Sequence, residues 1–513
     1  MRMYRFSSFL FLFFAAHIQL NAQVFPHEGC VLNYRIVGFS FPSTASTHNY
    51  TLQIASGDYN SEDAFKKNII TSQSIDTNRI IIEIPAFGTK YTWRVMPLSG
   101  KSLITKENSF RHFSTGITPT VDTTANRLLI TTHAKQYKDA FIFIDGVGVL
   151  YDMNGKPVWY LPLDKEINPA NIRDLKLSPF GTITYMDGSK IYEINYTGDI
   201  LWQKASSNTP GEKNEQINNQ YHHEFTRLGN GHYMVMGSEN LLCKVPSPSD
   251  STFIIIDDEK LKKDNNSIYR RIRFGTLMEY DEKGNLVWLW KSSEYFVASD
   301  LLNSYDPNQL TDLHDNAFYF DEYNKTIFIS FKNINRIIKL QYPKGNVLNT
   351  YGKIFTSRTQ KKLSNINIEN DLFCGQHNCK LSQKGYLYLY NNNTCGTSHT
   401  PKVMIMQEVG AGKNSLKKIW EYDCTIESPD TVKSLFFSGG GVQELPDESM
   451  LISMGAPYSK ISIVSLDKKV LWSALPEKYD PVEKKWQNIE LYRASIITTR
   501  KDLEQLIWNS EKE

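Results

Sequence analysis

Three histidines stand at one repeated place in this chain. His223 lies eight residues before Gly231, His377 eight before Gly385 and His314 ten before Asn324. Each of those Gly or Asn residues sits at the tip of a strand, turn, strand pattern. Imidazole changes charge near neutral pH, and it serves as nucleophile, acid, base or metal ligand. A lone histidine at a strand start is usually a hydrogen-bonded structural residue, but three at one repeat position point to a shared task. Two amides and a cation accompany them: Asn316, Asn378 and Lys332. Neutral donors and a cation suit a bound anion. No carboxylate shares the histidines' register, although Glu224 and Asp315 lie one residue from His223 and His314, so three histidines on a metal are the lesser alternative. His222 is expected to point away from His223 by strand alternation. His232, at a hairpin tip, is expected to be solvated.

These histidines meet only if a repeat brings them together, and the chain has one. Hairpins with a Trp, Tyr or Phe in the returning strand recur at 150–161, 191–203, 277–290, 337–351, 403–423 and 461–474. A second kind precedes most of them, at 175–187, 225–237, 318–330, 379–391 and 442–455. Two hairpins make a four-stranded sheet, and six such sheets bury their faces by stacking around an axis. The expected fold is all-β, with a six-bladed β-propeller catalytic domain over 118–513. The first strand of each blade lines the channel, so equivalent histidines face one another there. Residues 238–276 read as a long insertion.

Residues 23–117 read as a small N-terminal β-sandwich that resembles a fibronectin type III module, with strands at 49–55, 79–84 and 91–96. Its histidines, His27, His48 and His112, are expected to be structural. Residues 1–22 read as a secretory signal: Arg2 and Arg5, a short apolar run at 9–16, then Leu20-Asn21-Ala22. That run is too short to span a bilayer. The expectation is an exported protein of a bacterial periplasm, without a membrane span. There, its six cysteines are permitted disulfides. Lys and Arg number 57 against 55 Asp and Glu, which gives no basic excess for a nucleic-acid partner.

Three blocks, HHEF…NGHY (222–233), HDNAFYF…IFISFKN (314–333) and GQHNCKLSQKG (375–385), resemble the bacterial arylsulfate sulfotransferases. The resemblance implies a periplasmic six-bladed propeller behind a β-sandwich. It implies ping-pong transfer of a sulfuryl group from a phenolic sulfate ester to a phenol, with no cofactor, metal or nucleotide donor. His377 is then the nucleophile. His223 and His314 act as acid and base or bind the sulfuryl group, with Asn316. Where the family carries an arginine, eighteen residues after His314, this chain has Lys332. A lysine is a point charge where arginine offers a fork, and Arg336 stands near enough in sequence to take the role. The family's disulfide near its catalytic histidine suggests Cys374 with Cys379, at a spacing unlike the family's. A homodimer through the sandwich is the family's analogy. Tyr319, Phe331 and Tyr390 are assigned to core packing, with a phenol pocket as the alternative. Two other functions compete: a non-catalytic secreted binding propeller, and a metal-dependent lyase or hydrolase propeller.

Overall fold

The computed structural model describes residues 24–42, 49–97, 110–163, 167–188, 190–206, 221–244, 269–296, 312–352, 372–394, 400–410, 415–426, 428–429 and 438–510. The expected signal at 1–22, His48 and Cys395 lie outside the described residues. The chain forms two compact units.

The smaller unit takes in Val37–Ile84 and Thr89–Ser114. Its five-stranded sheet runs in the order Cys30–Leu32, Arg111–Thr115, Lys90–Pro97, Tyr50–Ser56 and Ile69–Ile75, beside a two-stranded ribbon of Ile36–Ser40 and Arg79–Glu83. Alternation along Tyr50–Ser56 turns Tyr50, Leu52 and Ile54 inward. Phe39 meets Trp93 edge to face at 5.2 Å. His112 pairs with Glu28 at 2.9 Å.

The larger unit is a ring of six sheets. Blade 2 is Ile172–Leu177, Ile183–Asp187, Lys190–Ile194 and Ile200–Ala205. Blade 3 is Phe225–Arg227, Tyr233–Lys244, Tyr269–Tyr280 and Leu286–Lys291. Blade 4 is Asp315–Asp321, Thr326–Phe331, Arg336–Gln341 and Asn346–Gly352. Blade 5 is Gln376–Leu381, Leu387–Asn391, Lys402–Val409 and Ser415–Asp423. Blade 6 begins Gly441–Glu444, Met450–Ser453, Ile461–Val464 and Val470–Asp480, and Asn126–Thr132 joins its last strand. Blade 1 has Phe141–Ile144, Val149–Asp152 and Pro157–Tyr160, but its innermost strand is Ala494–Ile497, from the far end of the chain. The ring is therefore closed twice, by an early strand on blade 6 and a late one in blade 1.

The repeated tryptophans join the blades. Trp159 Nε1 donates to Tyr196 O at 2.7 Å, Trp288 Nε1 to Pro343 O at 2.7 Å, and Trp420 Nε1 to Leu466 O at 2.7 Å. Trp472 Nε1 donates to Met153 O at 3.0 Å and links blade 6 to blade 1. Trp202 stacks on Tyr233 of the next blade at 3.7 Å. Blade 4 lacks this residue and reaches blade 5 through Lys339 and Tyr351, both on Glu408. Two expectations change. The stretch 238–276 is not all loop, because Tyr233–Lys244 and Tyr269–Tyr280 pair along their full length. His232 is not merely solvated: its Nδ1 lies 2.7 Å from Glu279, whose other oxygen accepts from Tyr342 of blade 4.

Candidate active site

The heads of four successive inner strands share one backbone anomaly. Asp174, His223, His314 and Asn378 all have left-handed φ, between 52° and 61°. Each costs an L-residue about 1–2 kcal/mol, and such strain gathers at functional sites. The kink re-aims the side chains and breaks strand alternation. This is why His222 does not point away from His223 as expected. Their Nδ1 atoms lie 2.8 Å apart, and both residues line one cavity.

The three sequence-selected imidazoles come together. The His223 and His314 ring centroids are 5.1 Å apart, and those of His314 and His377 are 6.3 Å apart. Burial, the charges of His222, His314 and His377, and Arg493 hold His223 well below the ordinary histidine range. Burial, then Lys332 and His314, do the same for His377. Both rings are therefore neutral at pH 7.

His377 is buried, and its tautomer follows from its neighbours. Nδ1 faces Gly375 O at 3.2 Å. Asn392 Nδ2 lies 2.9 Å from the same nitrogen but donates its two hydrogens to Gly375 O at 3.1 Å and Gly439 O at 3.0 Å. With both of those hydrogens committed, Nδ1–H donates to Gly375 O. The lone pair then sits on Nε2, which has no hydrogen-bond partner among the described residues.

His314 has a carboxylate companion that the sequence reading missed. Asp312 Oδ1 accepts from the His314 backbone N at 2.7 Å, and Oδ2 lies 3.6 Å from His314 Nδ1. Burial alone would raise the Asp312 carboxyl, but His314 and Arg273 outweigh it and keep the group ionised. Lys332 is half-buried and makes no ion pair or side-chain hydrogen bond among the described residues. Burial lowers its ammonium below the ordinary range, with Asp312 opposing. Arg336 does not replace it: that guanidinium is buried over the Phe296 ring at 5.5 Å, and Lys332 is the cation whose charge acts most on His377. Asn316, expected to face the anion, is wholly buried and donates to Gln376 O at 2.7 Å, bracing the residue before His377.

Beneath the histidines lies Arg493, also missed. It donates to Asp174 Oδ1 at 3.2 Å and Asn316 O at 3.1 Å, and sits 3.6 Å from Glu224. Lys176 pairs with Asp174 at 2.7 Å, and Lys380 pairs with Glu224. These groups line a second cavity of about 340 Å³ further along the inner strands, which Tyr319 also lines. Phe331 and Tyr390 are core residues. Asp312 was legible as a carboxylate two positions before His314. Arg493 would have required recognising the C-terminal strand as the start of a blade.

Cys374 is disulfide-bonded, but not to Cys379 as expected, because Cys379 is a buried free thiol. The partner of Cys374 lies outside the described side chains. Among the described residues no group of three His, Cys, Asp or Glu is placed to hold a metal ion, and no helix is long and apolar enough to cross a membrane.

A family model described as Arylsulfotransferase (ASST) matches residues 115–426. No curated protein matches. Among solved structures, the chain is similar to a Bacteroides caccae protein of unknown function at 11% identity, covering 73% of this chain and 99% of that one, with a TM-score of 0.37. It is similar to virginiamycin B lyase from Staphylococcus aureus at 12% identity, covering 67% and 87%, TM-score 0.33. It is also similar to the β-propeller domain of Cps50 (Swd1) from Myceliophteria thermophila at 10% identity, covering 72% and 99%, TM-score 0.34.

Proposed function

The chain belongs to the arylsulfotransferase family, and from that premise we propose that it carries a sulfuryl group from a phenolic sulfate ester to a phenol by double displacement at His377. The observation that carries this reading is the meeting of three imidazoles beside an unpaired lysine, with His377 Nε2 left free.

In the first displacement the Nε2 lone pair attacks sulfur. An N–S bond forms, the S–O bond to the aryl group breaks, and a phenolate leaves. That phenolate takes a proton from His314, whose positive charge Asp312 balances. In the second, His314 takes the proton of the acceptor phenol, whose oxygen attacks the sulfohistidine and restores neutral His377. Lys332 faces the sulfuryl oxygens as bonds to sulfur rearrange, and His223 packs beside His314 as a neutral donor or acceptor. Asn316 and Asn392 act at one remove, by holding Gln376 and Gly375 around the nucleophile. No nucleotide takes part, and the sequence offers no glycine-rich phosphate loop. Export to the periplasm is part of the same proposal.

The test is p-nitrophenyl sulfate with a phenol acceptor and no added metal. Nitrophenolate release is expected from the wild type and is lost in His377→Ala. A base-stable, acid-labile adduct should form on His377 when the acceptor is withheld. Full activity in His377→Ala would remove the mechanism. Folded protein without turnover or adduct would favour a binding propeller, and loss of activity to a chelator would favour the metal-dependent alternative.

A further inference from the structure

Beside His223 lies a cavity of about 200 Å³. An engineered cavity of about 150 Å³ holds a benzene ring, so this one has room for a substituted ring. Its apolar wall is Met186, Tyr221 and the ring of Tyr492. Two of its polar atoms are buried without a partner. Tyr492 Oη and His222 Nε2 are buried without a hydrogen bond, and Asp315 Oδ1 lies 3.9 Å from the latter. Arg173 Nη1 donates to Ala170 O at 2.5 Å and Ile172 O at 2.9 Å, which leaves Nε and Nη2 without an acceptor among the described residues. The guanidiniums of Arg173 and Arg493 flank the Tyr492 ring at 5.5 and 5.0 Å. The nearby carboxylate, Asp145, accepts from Arg493 N at 3.1 Å and from Gly146 N at 2.8 Å; the Arg173 charge also acts on it, but no hydrogen bond joins the two side chains.

Unpartnered donors around an apolar slot describe an aromatic ligand that bears an acceptor group. We infer that this cavity takes the aryl ring of the substrate, and that Arg173 selects rings carrying a carboxylate. The preferred substrate class is then a phenolic acid and its sulfate ester, with the phenolic oxygen at the His223 end and the carboxylate on Nε and Nη2. The inference rests on the transferase reading for its substrate, but the cavity and its donors do not depend on it.

The experiment compares 4-(sulfooxy)benzoate with its methyl ester in the wild type, Arg173→Gln and Arg173→Lys. The two differ in leaving-group strength, so the readout is the change in their kcat/KM ratio between proteins. A charge-assisted, forked hydrogen bond predicts that the acid-to-ester ratio falls about tenfold in Arg173→Gln and is only partly retained in Arg173→Lys. An unchanged ratio in Arg173→Gln would overturn the assignment. Calorimetric titration with 4-hydroxybenzoate and its methyl ester reads the same selectivity without turnover. If no protein turns over either ester, Arg173-dependent preference for the free acid keeps the subsite while the transferase reading falls. Equal binding of acid and ester by the wild type removes the subsite itself.

Discussion

An imidazole attacks sulfur only through an unprotonated nitrogen, so under the proposed mechanism the proton affinity of His377 sets the acid limit of the reaction. Burial and then the Lys332 charge hold that affinity down. The acid limb of kcat/KM is therefore expected below pH 6.5, the ordinary histidine value. Lys332→Met removes a positive neighbour, which raises the His377 pKa and moves the limb to higher pH; a pH profile of both proteins checks this. The same variant should lower kcat about 100-fold through lost charge stabilisation, whereas Lys332→Arg should raise kcat/KM above wild type. His222 gives the corresponding effect on stability. Its folded pKa is lowered to about 3, by burial first. From pH 6.5 down to that value the unfolded chain binds a proton that the folded chain refuses. This residue's contribution to stability thus falls with pH by about 1.4 kcal/mol per unit. Urea unfolding between pH 4 and 7 should show a shallower slope in His222→Asn.

At the scale of the element, the inner strand of blade 5 depends on the turn that launches it. Gly375 has φ +64°, and a Cβ there would collide with the Thr394 side chain. Its carbonyl also receives His377 Nδ1 and Asn392. Gly375→Ala is expected to destabilise the fold by roughly 1–2 kcal/mol and to lower kcat more than it changes KM, since it disturbs the carbonyl that receives Nδ1 of His377, the proposed nucleophile; thermal melts and initial rates separate the two. This scale also explains what was legible in the chain. The hairpin spacing located five inner strands and the three histidines on them, because equal repeat positions fall on one ring. It did not reveal that His222 turns into the cavity, because alternation assumes regular strands and His223 is not in one. Nor did it give Asn316 its brace to Gln376 O, since periodicity says which blade carries a side chain but not which neighbour it meets. The Cys374–Cys379 expectation failed for the same reason: nearness in sequence does not place Cys379 near another thiol when its side chain is buried inside blade 5.

At the scale of the whole molecule, the sequence repeat breaks where the ring closes. Five first-half hairpins serve six blades, and the missing one is assembled from Phe141–Ile144 and Ala494–Ile497, which lie at opposite ends of the propeller sequence. The residue that opens the closing strand is Arg493. Its backbone N donates to Asp145 after the first strand of blade 1, and its guanidinium reaches Asp174 of blade 2, Glu224 at the head of blade 3 and Asn316 O of blade 4. One side chain thus ties closure to the floor of the site, and its charge acts on both His223 and His377. Removing one partner from a buried ionic network costs about 3–5 kcal/mol, so Arg493→Met is expected to lose that much in denaturant unfolding. Arg493→Lys should recover only part, because an ammonium cannot fork between Asp174 and Asn316 O. Deleting 491–510, which removes Arg493 with the closing strand, is the stronger test. It empties the innermost place of blade 1 and leaves Phe141–Ile144 as an open edge, so the truncated chain should lose cooperative unfolding. A synthetic peptide of residues 491–510 added in trans should restore it, and nitrophenolate release should return with it. Restored folding without restored turnover would mean that closure is separable from the catalytic floor, and that Arg493 serves the ring alone.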